Sequence, residues 1–333
     1  MVLFVLFILG IHIGSFLNVC IWRLPRGESV VQPPSHCPNC DTRLHMLDMV
    51  PLLSQVLLRA RCRYCGTKIS WRYFGIELLT GILFVMVGAQ PGNIEGNLLT
   101  GAWVGDPVRL VEQLIVVSTL VVIFWIDYKT HLIQLEAVFL LGLAGVALDM
   151  WQVFKQGGQL TGGALFAGSP LLPAPLPQSL LAMVVTATIL WILREGFSWY
   201  YGKEALGFGD VILVGAIAAN LGWNPTILTF FFLSVVVGAI VGVGLKIPRA
   251  TRTYLWAKAR ARRHGSRKSL AWPLARHTFR KTIPFGPMLA AGAIVAMLYG
   301  GRINEAYVNW LNPPLTNQSS IYPMGETPPA PPP

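Results

Sequence analysis

Charge is scarce in this chain. Of its 333 residues 12% are Asp, Glu, Lys or Arg and 53% are hydrophobic, where a soluble domain carries about 25% charged residues. Mean hydropathy is +0.55. The deficit argues against a soluble enzyme and for a chain that crosses a membrane several times. Acids are scarcest, 15 against 26 Lys and Arg, for a net charge of +11. On a membrane protein such an excess reports topology, because Lys and Arg collect on the cytoplasmic side; no nucleic-acid partner is expected. Cysteines number five, and four fall in two C-x-x-C pairs, which favours a metal over disulfides. No Gly-rich nucleotide loop follows a strand, which excludes the usual Rossmann methyltransferase arrangement. The apolar N-terminus lacks a basic n-region and a small-residue cleavage site, so it reads as a retained first span. No internal repeat is evident.

Eight apolar runs stand out: Leu3–Ile21, Tyr73–Gly88, Val108–Ile126, Leu132–Trp151, Ser179–Trp199, Asp210–Leu221, Thr226–Leu245 and Pro284–Tyr299. About 20 apolar residues cross the roughly 30 Å of hydrocarbon. The sixth run is short and is expected to pack on protein instead of lipid. The expected fold is an all-α polytopic membrane protein of about eight transmembrane helices. Its parts are a first helix (1–22), a cytoplasmic loop domain (23–72), a transmembrane domain (73–300) with a basic cytoplasmic loop (246–281), and a Pro-rich extracytoplasmic tail (301–333). Eight spans place both termini on one side. With that side outside, every Lys and Arg except Arg109, Lys155 and Arg302 falls inside. The basic 246–281 stretch holds no acid and reads as an anchor on anionic membrane lipid. The outside stretches 90–107 and 152–178 read as irregular.

Within the first inside loop, CPNC and CRYC are separated by 21 residues. Each pair lets one tight turn present two thiolates, and two such knuckles make a closed four-thiolate site that suits zinc. The expected ligands are Cys37, Cys40, Cys62 and Cys65. Four thiolates leave no open position, so the zinc is structural, and it supplies folding energy to a loop with little core of its own. Cys20, alone in the first span, reads as a small buried apolar residue.

Two acids end or open apolar runs. Asp127 closes the third in WIDYKTHLIQ and Asp210 opens the sixth in LGFGDVILVG. The charge bias puts both at the cytoplasmic edge. A lone acid there is usually a cap, as Asp149 is expected to be near an outside helix end. An acid within a membrane helix costs about 2.5–3.5 kcal/mol at its centre, so two on one side point to function. Carboxylates brought close share a proton; one then activates water and the other protonates a peptide carbonyl. Gly207 and Gly209 flank Asp210 and free the local backbone for a sharp turn or a close substrate.

These segments together resemble the bacterial type IV prepilin peptidases. The resemblance rests on GSFLNVCIWRLPRGES at 14–29, CPNC…CRYCGTKISWRYFGIELLTG at 37–81, the Asp127 segment, GFGD at 207–210 and IPFGPMLAAGA at 283–293. It implies a multi-pass aspartic protease of the bacterial inner membrane, of the G-x-G-D type and akin in mechanism to presenilin. By position, Asp127 and Asp210 map to its catalytic pair. Its substrates are type IV prepilins and type II secretion pseudopilins, cut after a Gly between a basic leader and an apolar helix. Members with the cysteine loop also transfer a methyl from S-adenosylmethionine to the new N-terminus. Two positions depart from the family pattern: Gln134 where Pro is common, and Ile212 where Lys is common.

Asn18, Arg23 and Glu77 are the methyl-transfer candidates; the competing reading gives them inter-helix bonds and ion pairs. His12 is read as structural. Other functions remain: a peptidase without methylation, a proton-coupled transporter using the acids as carriers, or a zinc-bearing scaffold without catalysis.

Overall fold

A computed structural model describes residues 1–91, 93, 95–96, 103–155, 177–202, 206–263 and 285–311. Among them, eight long helices coincide with the eight apolar runs: α1 Val2–Arg23, α3 Arg72–Gly88, α4 Pro107–Thr130, α5 Leu135–Lys155, α6 Gln178–Tyr201, α7 Phe208–Leu221, α8 Thr226–Arg263 and α9 Gly286–Leu311. A short α2, Leu53–Leu57, lies in the first loop. Five of these (α1, α4, α5, α6 and α9) are long and apolar enough to cross a membrane by length and composition. The protein is therefore a multi-pass membrane protein of α-helices.

Three bounds differ from expectation. Helix α8 runs past its apolar part to Arg263, so the first half of the basic stretch is helical, not loop. Helix α9 continues to Leu311, taking the start of the expected tail into a helix. The stretch 90–107 carries a minimal antiparallel pair, β1 Glu95–Gly96 with β2 Trp103–Val104. Most of 152–178, the second half of the basic stretch and the PPAPPP end lie outside the described residues.

Two cores share α4 and α9. In one, α1 and α3 pack on α4 around Ile21, Ile76, Phe84, Val117 and Ile126; Cys20 is buried there, as a small apolar residue should be. The α1–α3 seam is built on glycine: a Cβ at Gly10 would lie 2.8 Å from the Gly81 Cα, and one at Gly14 2.7 Å from the Glu77 Cα. Removing side chains lets helices approach closely in a membrane, where dispersion and interhelical bonds replace the hydrophobic drive. The other core joins α4, α5, α7, α8 and α9 around Leu120, Leu141, Leu213, Phe230 and Leu289. Helix α7, only 14 residues long, sits inside it with most side chains buried, as its shortness demanded. At the far end, Ser179 donates from both N–H and Oγ to Asp149 Oδ2 at 2.8 Å, so Asp149 pins the start of α6.

Candidate active site and metal centre

Asp127 lies in the last turn of α4. His131, just beyond, adopts φ 55° and donates its N–H to the Asp127 carbonyl at 2.9 Å, which stops the helix. Asp210 lies in the first turn of α7, after Gly207 as N-cap. Helix α7 packs against α5 and α6, and α4 packs against α5, so the two acids, distant in the chain, come to the same part of the bundle. Asp127 is buried at 4% exposure and Asp210 is half-buried. The carboxylates are near enough to interact electrostatically.

The glycines have specific steric reasons. Gly207 has φ −67°, which any residue can adopt; what it provides is room, since a Cβ there would lie 3.3 Å from Asp210 Oδ2. Gly209 makes room for α5's approach: a Cβ would lie 3.2 Å from Ile133. Sequence reasoning missed Gly286. It opens α9, its N–H faces the Asp127 carboxylate, and a Cβ there would collide with Asp127 Oδ2. It lies in the Phe285-Gly286-Pro287 that opens the last apolar run, which by itself does not say what the glycine will meet. A helix start aimed at a carboxylate orients it through amide and dipole together. Of the two departures from the family pattern, Ile212 packs against the second core; the Gln134 carbonyl accepts the Val138 N–H at the start of α5, a bond that Pro would make equally, so nothing in the structure explains Gln134. Ile212 and Phe208 also border an apolar groove of about 680 Å³ between α5, α6 and α7.

The four expected cysteines converge, with all four sulfurs within 4.8 Å of one another. Cys37 Sγ and Cys65 Sγ lie 3.8 Å apart, close to the tetrahedral edge that Zn–S bonds of about 2.3 Å require. The donor set and spacing fit zinc. The two knuckles are built alike. The Cys37 N–H donates to Thr42 O at 3.0 Å, and Cys62 N–H to Thr67 O at 2.9 Å. Asp41 N–H closes onto Cys37 O at 2.9 Å and Gly66 N–H onto Cys62 O at 3.0 Å. Asp41 and Gly66 both take positive φ, 51° and 71°. This likeness corrects the expectation of no internal repeat: CPNCDTRL and CRYCGTKI share C-x-x-C-x-T, a basic residue and an aliphatic one. Bonds from the Thr67 amide and hydroxyl and from Asn39 hold the Cys65 thiol down to about 6, which favours the thiolate a metal needs. Between the knuckles, burial of Asp48 is outweighed by the Tyr64 hydroxyl at 2.9 Å, the His45 amide and Arg63, which keep its carboxyl below the usual range.

The methyl-transfer candidates divide. Arg23 is buried and donates to Ser29 O at 2.9 Å and Pro33 O at 2.6 Å, closing the turn after α1. Asn18 and Glu77 share the α1–α3 seam. Asn18 Nδ2 donates to Gly14 O and Tyr73 O at 3.2 Å, and its Oδ1 is buried without a partner among the described residues. Glu77 Oε2 accepts the Leu52 N–H at 2.8 Å, with Ser15 and His12 nearby. His12 Nδ1 pairs with Ile8 O within its own helix.

Residues 8–90 match the family described as Bacterial Peptidase A24 N-terminal domain, and residues 114–243 match the Type IV leader peptidase family. A prepilin leader peptidase/N-methyltransferase of Dickeya chrysanthemi is 32% identical over 89% of this chain and 92% of its own length. Proteins of the same name from Myxococcus xanthus and Aeromonas hydrophila are 35% and 30% identical. They cover 72% and 91% of this chain, and 61% and 92% of their own lengths. No solved structure matches the chain.

Proposed function

The chain belongs to the prepilin leader peptidase/N-methyltransferase family, and on that premise we propose that it is a membrane aspartic endopeptidase that removes the leader from type IV prepilins or type II secretion pseudopilins and then methylates the new N-terminus. The observation that carries this reading is the electrostatic proximity of Asp127, in the last turn of α4, to Asp210, in the first turn of α7, one fully and one partly buried. Two carboxylates in such a place share a proton. The ionised one takes a proton from water as the water oxygen attacks the scissile carbonyl; the protonated one gives its proton to the carbonyl oxygen. The carboxyl that took the water's proton then gives it to the amide nitrogen while the other takes back a hydroxyl proton from the tetrahedral species, whose collapse breaks the C–N bond and leaves a new carboxyl terminus and a free amine. Gly286 orients Asp127 from one side, and Gly207 leaves room beside Asp210 Oδ2.

The charge bias supports placing this site at the cytoplasmic face of the bacterial inner membrane, with both termini extracytoplasmic. Cys37, Cys40, Cys62 and Cys65 would hold a zinc that fixes the loop fold and takes no part in the reaction. Two buried acceptors on one seam, Asn18 Oδ1 and Glu77, have the chemistry to face the cationic end of S-adenosylmethionine, which supplies the methyl group. Partners are the precursor and membrane lipid.

The test uses purified protein in detergent with a pilin precursor. Asp127→Asn and Asp210→Asn are each expected to slow cleavage by at least ~100-fold while zinc content stays unchanged. Cleavage at wild-type rate by either variant overturns the protease reading. Mass spectrometry of the product N-terminus should find one added methyl; an unmodified amine in the presence of methyl donor removes the second activity.

A further inference from the structure

The segment between the two knuckles exposes more apolar surface than a water-facing loop tolerates. Met46, Leu47, Met49, Leu53, Val56 and Leu57 are exposed by 40% to 86%, while Pro51 and Ser54 between them turn inward and are buried. This is the pattern of a segment with one face on protein and the other on hydrocarbon.

One hydrogen bond sets its depth. The Leu52 N–H donates to Glu77 Oε2 at 2.8 Å. Glu77 lies inside α3, and its Cα packs against Gly14 of α1. The inner ends of α1 and α4 are level, because Lys129 lies 5.9 Å from the Trp22 ring. Gly14 precedes Trp22 by eight residues, about 12 Å along a helix at 1.5 Å per residue. A glutamate side chain spans less than half of that. With the 2.8 Å bond added to that reach, Leu52 still sits below the rim on which α1 and α4 end, by at least about 4 Å at 1.5 Å per helical residue. Irregular backbone at such depth needs protein partners for its polar groups, and the buried carboxylate of Glu77 supplies one to Leu52. Exposed Arg59 and Arg61 follow the strip directly, where a snorkelling cation meets anionic headgroups.

We propose that residues 46–58 are a re-entrant membrane anchor, whose exposed apolar side chains lie among the acyl chains of the inner leaflet beside α1 and α3 and hold the metal-binding module on the bilayer. The occupant of this face is lipid. The anchor follows from helix packing and does not depend on what Asp127 and Asp210 do.

The full chain is reconstituted in vesicles of phosphatidylethanolamine and phosphatidylglycerol. A photoreactive benzoylphenylalanine replaces Leu53, Leu57 or, as a reference on the first knuckle, the exposed Pro38. Bound zinc, measured for each variant, certifies that the module is folded; Met46 serves if either leucine position loses zinc. After illumination, mass spectrometry is expected to find phospholipid adducts at the leucine positions severalfold above those at Pro38. Equal adducts at all positions, no lipid adducts, or crosslinks to a second copy or to added precursor in place of lipid would each overturn the proposal.

Discussion

At the scale of single residues the account turns on space around two carboxylates. Gly286 is the sharpest case. A methyl group there would displace Asp127 Oδ2, and displacement of a reacting group by about 1 Å costs on the order of 100-fold in rate. Gly286→Ala should therefore depress kcat by about that factor with zinc content and helicity intact, measured on purified enzyme. Gly209→Ala presses on Ile133 side-chain atoms, which can shift, so its loss should be the smaller of the two. The acids themselves were legible in the sequence because a carboxylate in an apolar run costs energy and the charge bias set both on one side. Gly286 was not: nothing in a glycine at the start of an apolar run states which side chain will come to rest against it. Nor was it legible that Arg23 would close the turn after α1 through the Ser29 and Pro33 carbonyls.

At the scale of elements, hydropathy located every long helix but not where each one stops. It reports where lipid ends, and a helix can go on in water. Helix α8 does so through TRTYLWAKARARR, a stretch rich in the Ala, Arg, Lys and Leu that favour helix. The metal module shows the reverse. Its cysteine spacing was plain, yet the repeat behind it was overlooked because Asp41 stands where Gly66 does, although both serve the same positive-φ turn. Metal binding requires thiolates. With Cys65 held to about 6 and Cys37 pushed up to about 11, zinc must displace thiol protons throughout the neutral range, so its affinity should fall as pH is lowered and fall more steeply below about 6, where Cys65 also takes up a proton. Competition with a chelating dye across pH measures this; affinity that stays flat below pH 6 would contradict four-thiolate ligation. The α1–α3 seam makes a separate prediction. Gly14→Leu forces a side chain against the Glu77 backbone, and overpacking of this kind costs about 1–3 kcal/mol. Thermal unfolding in detergent should show the loss, while Gly75→Leu, at a helical glycine with open space around its Cβ position, should not.

At the scale of the whole molecule, two modules share one bundle. The first carries the cysteines and the Asn18–Glu77 seam; the second carries the aspartates; α4 and α9 belong to both cores. That division predicts separable activities. Cys37→Ser should abolish zinc binding and impair methyl transfer more than cleavage, because Leu52 ties the loop to Glu77 and no such bond links it to Asp127 or Asp210 among the described residues. Comparing methylated with unmethylated product by mass decides it; equal loss of both activities would show the modules to be one functional unit. The central claim is that Asp127 and Asp210 act as a unit, and it is tested most directly by cleavage rates of the two single Asn variants and the double variant. Residues that act together are non-additive. The account predicts a double variant no slower than the slower single one, while a double variant whose defect is the product of two independent losses, or a single variant that cleaves at wild-type rate, would contradict it.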